Sequence, residues 1–518
     1  MMVKRIVNKK EIFITGALIA VALIWGLLNF EILLNQGGDN GRYIMLGRSI
    51  MEGKFMKEIN TFKENLHTQY PPFFPLTLSF IMALFGKENI FMMKLFSFVY
   101  YLLSVFFFYR VLNLYLKEKV LVASLTILFI FCNNIVDWSS LILTESLFIL
   151  TIILILYSFK MYDSTKRKSY FYSLMVFSTL SVFMRGNGLL VFFPLALYFL
   201  TKKEKKNFLI MCGFALLSQA WGFYVYVSTG EGSLYFRQVL YKNWYLPHLG
   251  MIDGKTFANR LIYNSLNYFT TIIPTTFTAT ISPKIQYGAV LVVYITSLAW
   301  GVVLFIKRKM FFEPLWLAVN MCMLLLWPEN FTTPRFFAPF ISLLFVFIGS
   351  AFSAYKRVEI VYFLSIGFIG ISVFLNIYEL SREIPRKVYI LSETNFDFRD
   401  DNRMRVQTGI RTFFDIAIWA KDSIPEDAVV MTTKAELFYI HSDRKAEIFP
   451  YTDNDSIIIE YMKERNINYV MYENAPNQGR LANLTINKFI LNHKEWFEMA
   501  HTVKERPNYI LLKLVRQF

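Results

Sequence analysis

Cysteine is scarce in this chain, and the three that occur, Cys132, Cys212 and Cys322, all sit inside apolar runs. That distribution argues against a disulfide framework and against a cysteine-built metal centre. Charge is scarce as well: only 18% of the 518 residues are Asp, Glu, Lys or Arg, against 55% hydrophobic ones, a balance that no soluble domain of this size needs. Neither an internal repeat nor a low-complexity linker is present, which excludes solenoids and flexible tethers. Acids are the scarcer sign, 38 against 54 basic residues, for a formal net charge of +16. In a soluble chain that excess would suggest nucleic acid. Here much of it lies in short loops between apolar runs, so no nucleic-acid partner is expected.

What is abundant is apolar sequence in runs near the length that crosses a bilayer, about 20 helical residues for a hydrocarbon core of roughly 30 Å. Such runs fall near 12–34, 91–116, 119–135, 141–159, 170–185, 188–200, 207–228, 286–306, 311–327, 336–354 and 358–379. The expected fold class is a polytopic α-helical membrane protein of about 11 transmembrane helices with a C-terminal soluble α/β domain. The fifth and sixth runs are short and divided by Arg185-Gly186-Asn187-Gly188, so they could equally form one broken or re-entrant pair.

Short cytoplasmic loops retain Lys and Arg. Lys4, Arg5, Lys9 and Lys10 precede the first run, and every second connection after it is basic: Lys117 with Lys119, 166–168, 202–206, 307–309 and 356–357. The alternation implies a cytoplasmic N-terminus. The first run lacks an Ala-x-Ala-like cleavage site, so a retained helix is expected. The Lys, Ile, Phe and Asn-rich composition suggests a bacterial plasma membrane.

Three long segments then face the extracytoplasmic side: 35–90, 229–285 and the tail from 381 to 518. In the first, Tyr43, Leu46 and Ile50 recur at helical spacing while Arg42, Arg48 and Glu52 take other faces, the pattern of a helix lying along the membrane surface. An apolar stretch led by Pro71, Pro72 and Pro75 follows and reads as a re-entrant or interfacial helix. The tail alternates helical and strand patterns: helices over 407–423 and 457–465, and strands over 428–431, 467–472, 496–503 and 509–515. Domains of 1–380 and 381–518 are expected.

Ionisable residues near the ends of apolar runs are the candidates for chemistry. Asp39, just past the first run, suits a helix N-cap as well as a base that accepts a proton from a hydroxyl. Glu145 lies about a turn inside the outer end of the fourth run, where an acid must face the bundle or a wet cavity, and Arg185 is its expected partner. Arg185 and Arg335 both sit on the side that is otherwise poor in cations, where a guanidinium can grip phosphate through two parallel hydrogen bonds or snorkel to headgroups. Asp137 belongs either to the same site or to the interface beside Trp138. His67 and His248 are isolated from other metal-ligating residues.

Taken in order, Gly37-Gly38-Asp39-Asn40-Gly41-Arg42-Tyr43, Tyr70-Pro71-Pro72-Phe73-Phe74-Pro75, Thr144-Glu145-Ser146, Met184-Arg185-Gly186 and Pro334-Arg335-Phe336 resemble the GT-C glycosyltransferases. Within them the pattern is most similar to the protein-mannosyltransferase-like branch that includes the lipid A aminoarabinose transferases. The resemblance covers most of residues 10–380. It implies a sugar donor on a polyprenyl phosphate, a glycan, lipid or protein acceptor, and Asp39 as catalytic base. Arg42, Tyr43, His67, Tyr70, Asp137, Glu145, Arg185 and Arg335 are then candidates for substrate binding. Relatives with Asp-Glu or Asp-x-Asp in this loop have paired carboxylates, whereas Asn40 and Gly41 follow Asp39 here; a divalent metal stays open as a cofactor. The alternative is a polytopic transporter or flippase of an envelope lipid or sugar, which would show paired halves with matched broken helices.

Overall fold

The computed structural model describes residues 9–34, 38–230, 238–243, 249–279, 285–329, 332–393, 411–474, 479–503 and 509–516; His248 lies outside them. Six described helices are long and apolar enough to cross a bilayer alone: Lys9–Leu28, Ile90–Tyr115, Glu145–Thr165, Lys205–Thr229, Val290–Lys307 and Glu359–Ser381. Lys119–Ile130 and Asn133–Ser139 together make a further span bent by 55°. Shorter apolar helices, Phe73–Phe85, Gly186–Thr201, Phe312–Leu326 and Ile341–Ala354, complete the bundle with Lys168–Met184. The chain is an integral membrane protein.

Each apolar run of the sequence is met by a helix, and the division after the fifth run has a local cause. Lys168–Met184 ends where Arg185 turns extended, at φ −150° and ψ 135°. A 3₁₀ turn, Gly186–Val191, then folds back on the helix just left. A Cβ on Gly188 would come within 2.4 Å of the Ser181 carbonyl, so only glycine permits this close approach. The break leaves the Arg185 side chain at the end of the bundle.

The helix Glu145–Thr165 relates the two ends of the molecule. Its 21 residues span about 30 Å at 1.5 Å each. Beyond its last turn Lys166 pairs with Glu204 at 3.2 Å, and at the start of the third run Lys119 pairs with Glu11 at 3.0 Å. The basic connections therefore lie at one end, and Glu145 at the other.

At the Glu145 end the spacing of Tyr43, Leu46 and Ile50 is met by a helix, Gly38–Met51, but it is buried from Tyr43 to Ser49, Arg48 included, because Phe73–Phe85 and Ala435–Ser442 both pack on it, and so it does not lie along the membrane surface. The tail folds into a five-stranded sheet of β1 (Val429–Met431), β2 (Lys445–Glu447), β3 (Ile467–Glu473), β4 (Phe497–Thr502) and β5 (Tyr509–Leu514), in the order β2-β1-β3-β5-β4. The first three strands are parallel, while β5 runs antiparallel to both β3 and β4. Side chains alternate between the sheet faces. Val430, Met471 and Leu511 join helices Arg411–Ser423 and Ala435–Ser442 in the core that continues into the bundle, whereas Val429, Met431 and Val470 build a separate core with Ile458 and Phe489. The helix Ala435–Ser442, which the sequence reading did not anticipate, seats the domain on the first loop. Leu437 packs against Gly41, the Ala446 amide donates to the Asn60 carbonyl at 2.6 Å, and Lys445 pairs with Glu64 at 2.9 Å.

This docking helix carries a buried histidine. His441 packs edge-on against Phe414, and its Nε2 has no hydrogen-bond partner among the described residues. Burial first, and the nearby Arg48 second, push its pKa down to about 3. A depressed folded-state pKa contributes stability above the unfolded value near 6.5 that is lost as the pH falls toward 3. Acidification from pH 7 to 5 should cost the C-terminal domain roughly 2 kcal/mol through this residue. Tryptophan-monitored unfolding of the wild type and of His441→Leu tests it: the variant should show the shallower pH dependence, and parallel curves would exclude the histidine as the cause.

Candidate active site

The ionisable residues that the sequence places near the ends of separate apolar runs meet around one guanidinium. Arg335 stands in the short helix Pro334–Phe337, where Pro334 starts the turn. Its Nε donates to Glu145 Oε1 and its Nη1 donates to Asp39 Oδ2. Arg185 reaches the same Glu145 oxygen through Nη1 at 2.9 Å, so the pairing expected between Arg185 and Glu145 is present. Glu145 is fully buried at the first residue of its helix, where the helix dipole also favours a negative charge. An unpaired carboxylate at such a depth would cost several kcal/mol, and two guanidiniums offset that cost.

Asp39 lies in the first turn of the helix Gly38–Met51, and its carboxylate is held by side chains of other segments. Tyr70 OH donates to Oδ1 at 2.5 Å, and Arg335 holds Oδ2. About a third of the side chain, 32%, remains exposed, against none of Glu145. Burial alone would raise the Asp39 pKa. The Arg335 charge and the Tyr70 hydrogen bond together outweigh burial and hold the carboxyl below its usual range. Asn40, the next residue, fixes the helix start by accepting from the Ile142 amide at 3.1 Å, three residues before Glu145.

The other candidates are engaged elsewhere. Arg42 donates through Nε to Glu436 Oε1 of the docking helix at 2.6 Å and through Nη1 to Gln69 Oε1 at 3.3 Å, tying the Asp39 helix to the C-terminal domain. Tyr43 is buried, stacked on Tyr70 at 4.8 Å and edge-on to Phe74 at 5.0 Å, so it supports Tyr70 from behind. His67 Nδ1 bonds Glu58 Oε1 at 2.8 Å within the first loop. Among the described residues no hydrogen bond or ion pair joins Asp137 to the Asp39–Arg335–Glu145 group; the charges that act on it are Lys387, Glu383 and Glu31. Sequence reasoning missed Glu436 and Gln69. Glu436 lies in an apolar stretch, Ala435 to Ile440, that gives no sign of what it will touch.

A cavity of about 420 Å³ adjoins the cluster. Arg185, Gln69 and Asn187 form polar parts of its lining, whereas Leu189, Val225 and Trp221 are among the apolar ones, and Phe336 beside Arg335 also lines it. Arg185 further lies over the Phe336 ring at 5.5 Å. The cavity thus offers a cation beside walls suited to hydrocarbon. Among the described residues no three His, Cys, Asp or Glu side chains converge as metal ligands do. The two nearest acids are bridged by Arg335, whose charge occupies the position a cation between them would take, so the residues present do not fit a metal.

Comparison with known proteins bears on the fold. Residues 69–226 match the family model of dolichyl-phosphate-mannose-protein mannosyltransferases. A sequence comparison with curated proteins gives no significant match. Among solved structures, the Archaeoglobus fulgidus oligosaccharyltransferase tethered to an acceptor peptide superposes with a TM-score of 0.56 at 11% identity, over 98% of this chain and 76% of that one. Apo ArnT from Cupriavidus metallidurans gives a TM-score of 0.57 at 11% identity, over 96% of this chain and 97% of that one. The same ArnT bound to undecaprenyl phosphate gives 0.55 at 12% identity, with the same coverage. Residues 69–226 are thus similar in sequence to the protein mannosyltransferases, within a GT-C fold that extends over nearly the whole chain.

Proposed function

We propose that the chain moves a sugar from a polyprenyl-phosphate donor to an acceptor hydroxyl at the extracytoplasmic face of a bacterial plasma membrane, by a single inverting displacement with Asp39 as base. The observation that carries this reading is a carboxylate, about a third exposed, held by Arg335, which shares Glu145 with a second arginine, Arg185, that lines a largely apolar cavity. That cavity suits the first isoprene units of a lipid carrier, and Arg185 its phosphate. The binding of undecaprenyl phosphate by ArnT, which shares the fold, supports the same class of donor. The cytoplasmic N-terminus rests on the basic connections at the end away from Asp39, and the first loop and the C-terminal domain then lie outside. The acceptor is a glycan, lipid or protein.

In the reaction the acceptor oxygen bonds to the anomeric carbon as the bond from that carbon to the phosphate oxygen breaks. The electron pair leaves with the polyprenyl phosphate, whose developing charge Arg185 and Arg335 stabilise, so the leaving group needs no acid. The hydroxyl proton passes to Asp39. Glu145 is fully buried and held by two guanidiniums, so among the described residues of this cluster no second free carboxylate is left to form a covalent sugar intermediate. By analogy with glycoside hydrolysis, one working carboxylate implies inversion.

Asp39→Asn should lower sugar transfer from a labelled polyprenyl-phosphate sugar by at least about 100-fold, the usual contribution of a general base, while the protein still extracts and melts like wild type. Transfer at the wild-type rate would remove Asp39 from the mechanism. Arg185→Lys should raise the KM for the donor with a smaller change in kcat, because lysine lacks the planar fork. Unchanged donor kinetics would argue against its contact with phosphate.

A further inference from the structure

Arg335 is asked to do two things in the proposed reaction, and at rest it is already occupied. It holds Asp39, the base, by the same Nη1 that faces the site, yet it must also stabilise the leaving phosphate. Building on the proposed reading, we infer that Asp39 and the donor phosphate compete for Arg335, so that donor binding releases the base and must precede productive binding of the acceptor.

Charge and geometry support this. At rest the cluster is balanced: Arg185 and Arg335 face Glu145 and Asp39. A sugar phosphodiester brings one further negative charge into a partly dehydrated space, and one carboxylate must give way. Glu145 cannot, because it is fully buried and both guanidiniums meet on its Oε1. Asp39 can, because it is a third exposed and only one arginine holds it, with Tyr70 as its other partner.

Release also changes what Asp39 can do. Against Arg335 it is a weak base, since the guanidinium stabilises its ionised form. Once the phosphate has taken that guanidinium, Tyr70 remains to orient the carboxylate, and its proton affinity rises toward what a general base needs. The charge account closes over the step. The negative charge that leaves Asp39 on protonation reappears on the departing phosphate, so the total at the site is unchanged. Before the donor arrives, water or a stray acceptor meets a base that is not switched on.

Competition is read most directly by binding, without turnover. Undecaprenyl phosphate would be titrated into the purified full-length protein in nanodiscs, comparing wild type with Asp39→Asn and with Asp39→Asn/Arg335→Gln. Coupling energies between linked sites commonly correspond to 5–150-fold in affinity; Asp39→Asn should bind the lipid phosphate roughly tenfold tighter than wild type. The gain should vanish when Arg335 is also replaced. Undecaprenol, which lacks the phosphate, should bind wild type and Asp39→Asn alike. In wild type, infrared difference spectra should show the Asp39 protonation midpoint rising when the lipid phosphate is bound, a measurement that needs no folded variant. Equal or weaker binding by Asp39→Asn, or an unmoved midpoint, overturns the inference while leaving the lipid-phosphate site intact. Failure of wild type to bind undecaprenyl phosphate at all brings down the proposed function and the inference with it.

Discussion

One guanidinium between two carboxylates organises this end of the molecule. Arg335 joins the first loop, through Asp39, to the start of the helix Glu145–Thr165, and Glu145 passes the connection on to Arg185 and the break after Lys168–Met184. These segments are up to 296 residues apart in sequence. A buried acid such as Glu145 would be costly alone at the edge of a hydrocarbon layer, but together the four charges are neutral. The apolar packing of the helices brings the segments close; the ion network decides their register.

Much of this was legible in the sequence for a physical reason. A bilayer leaves little freedom, since a span must be apolar, helical and about 20 residues long. For the same reason Asp39, Glu145, Arg185 and Arg335 stand out: an ionisable residue at the end of an apolar run needs a partner. Four of the five tail strands were visible from their alternation, and the structure bounds them within a residue or two, whereas the short strand Lys445–Glu447 was not anticipated.

The parts that were not legible depend on contacts between distant segments. Nothing in the run from Ala435 to Ile440 announces that Glu436 will meet Arg42, or that this helix will sit on Gly41. Arg42 and His67 look like substrate ligands because they are polar residues near Asp39, yet their side chains are turned to Glu436 and Glu58. The direction of the Asp39 pKa was equally hidden, because burial and the two partners act in opposite senses and only geometry says which wins. Arg335 was visible as a candidate; that it faces both acids at once was not.

The helix Glu145–Thr165 has a consequence for the membrane itself. Its first residue gathers both arginines, and just past its last turn Lys166 is fastened to Glu204 and to the Tyr198 hydroxyl at 2.7 Å. A rod pinned at both ends sets the depth of the site by its own length and not by the lipids around it. In a thinner bilayer such a helix must tilt or draw the headgroups toward it. The distances inside the site would then hold while its height above the hydrocarbon changed. Bilayer thickness thus becomes a variable that can alter how a lipid-borne phosphate reaches Arg185 without touching a single contact in the cluster.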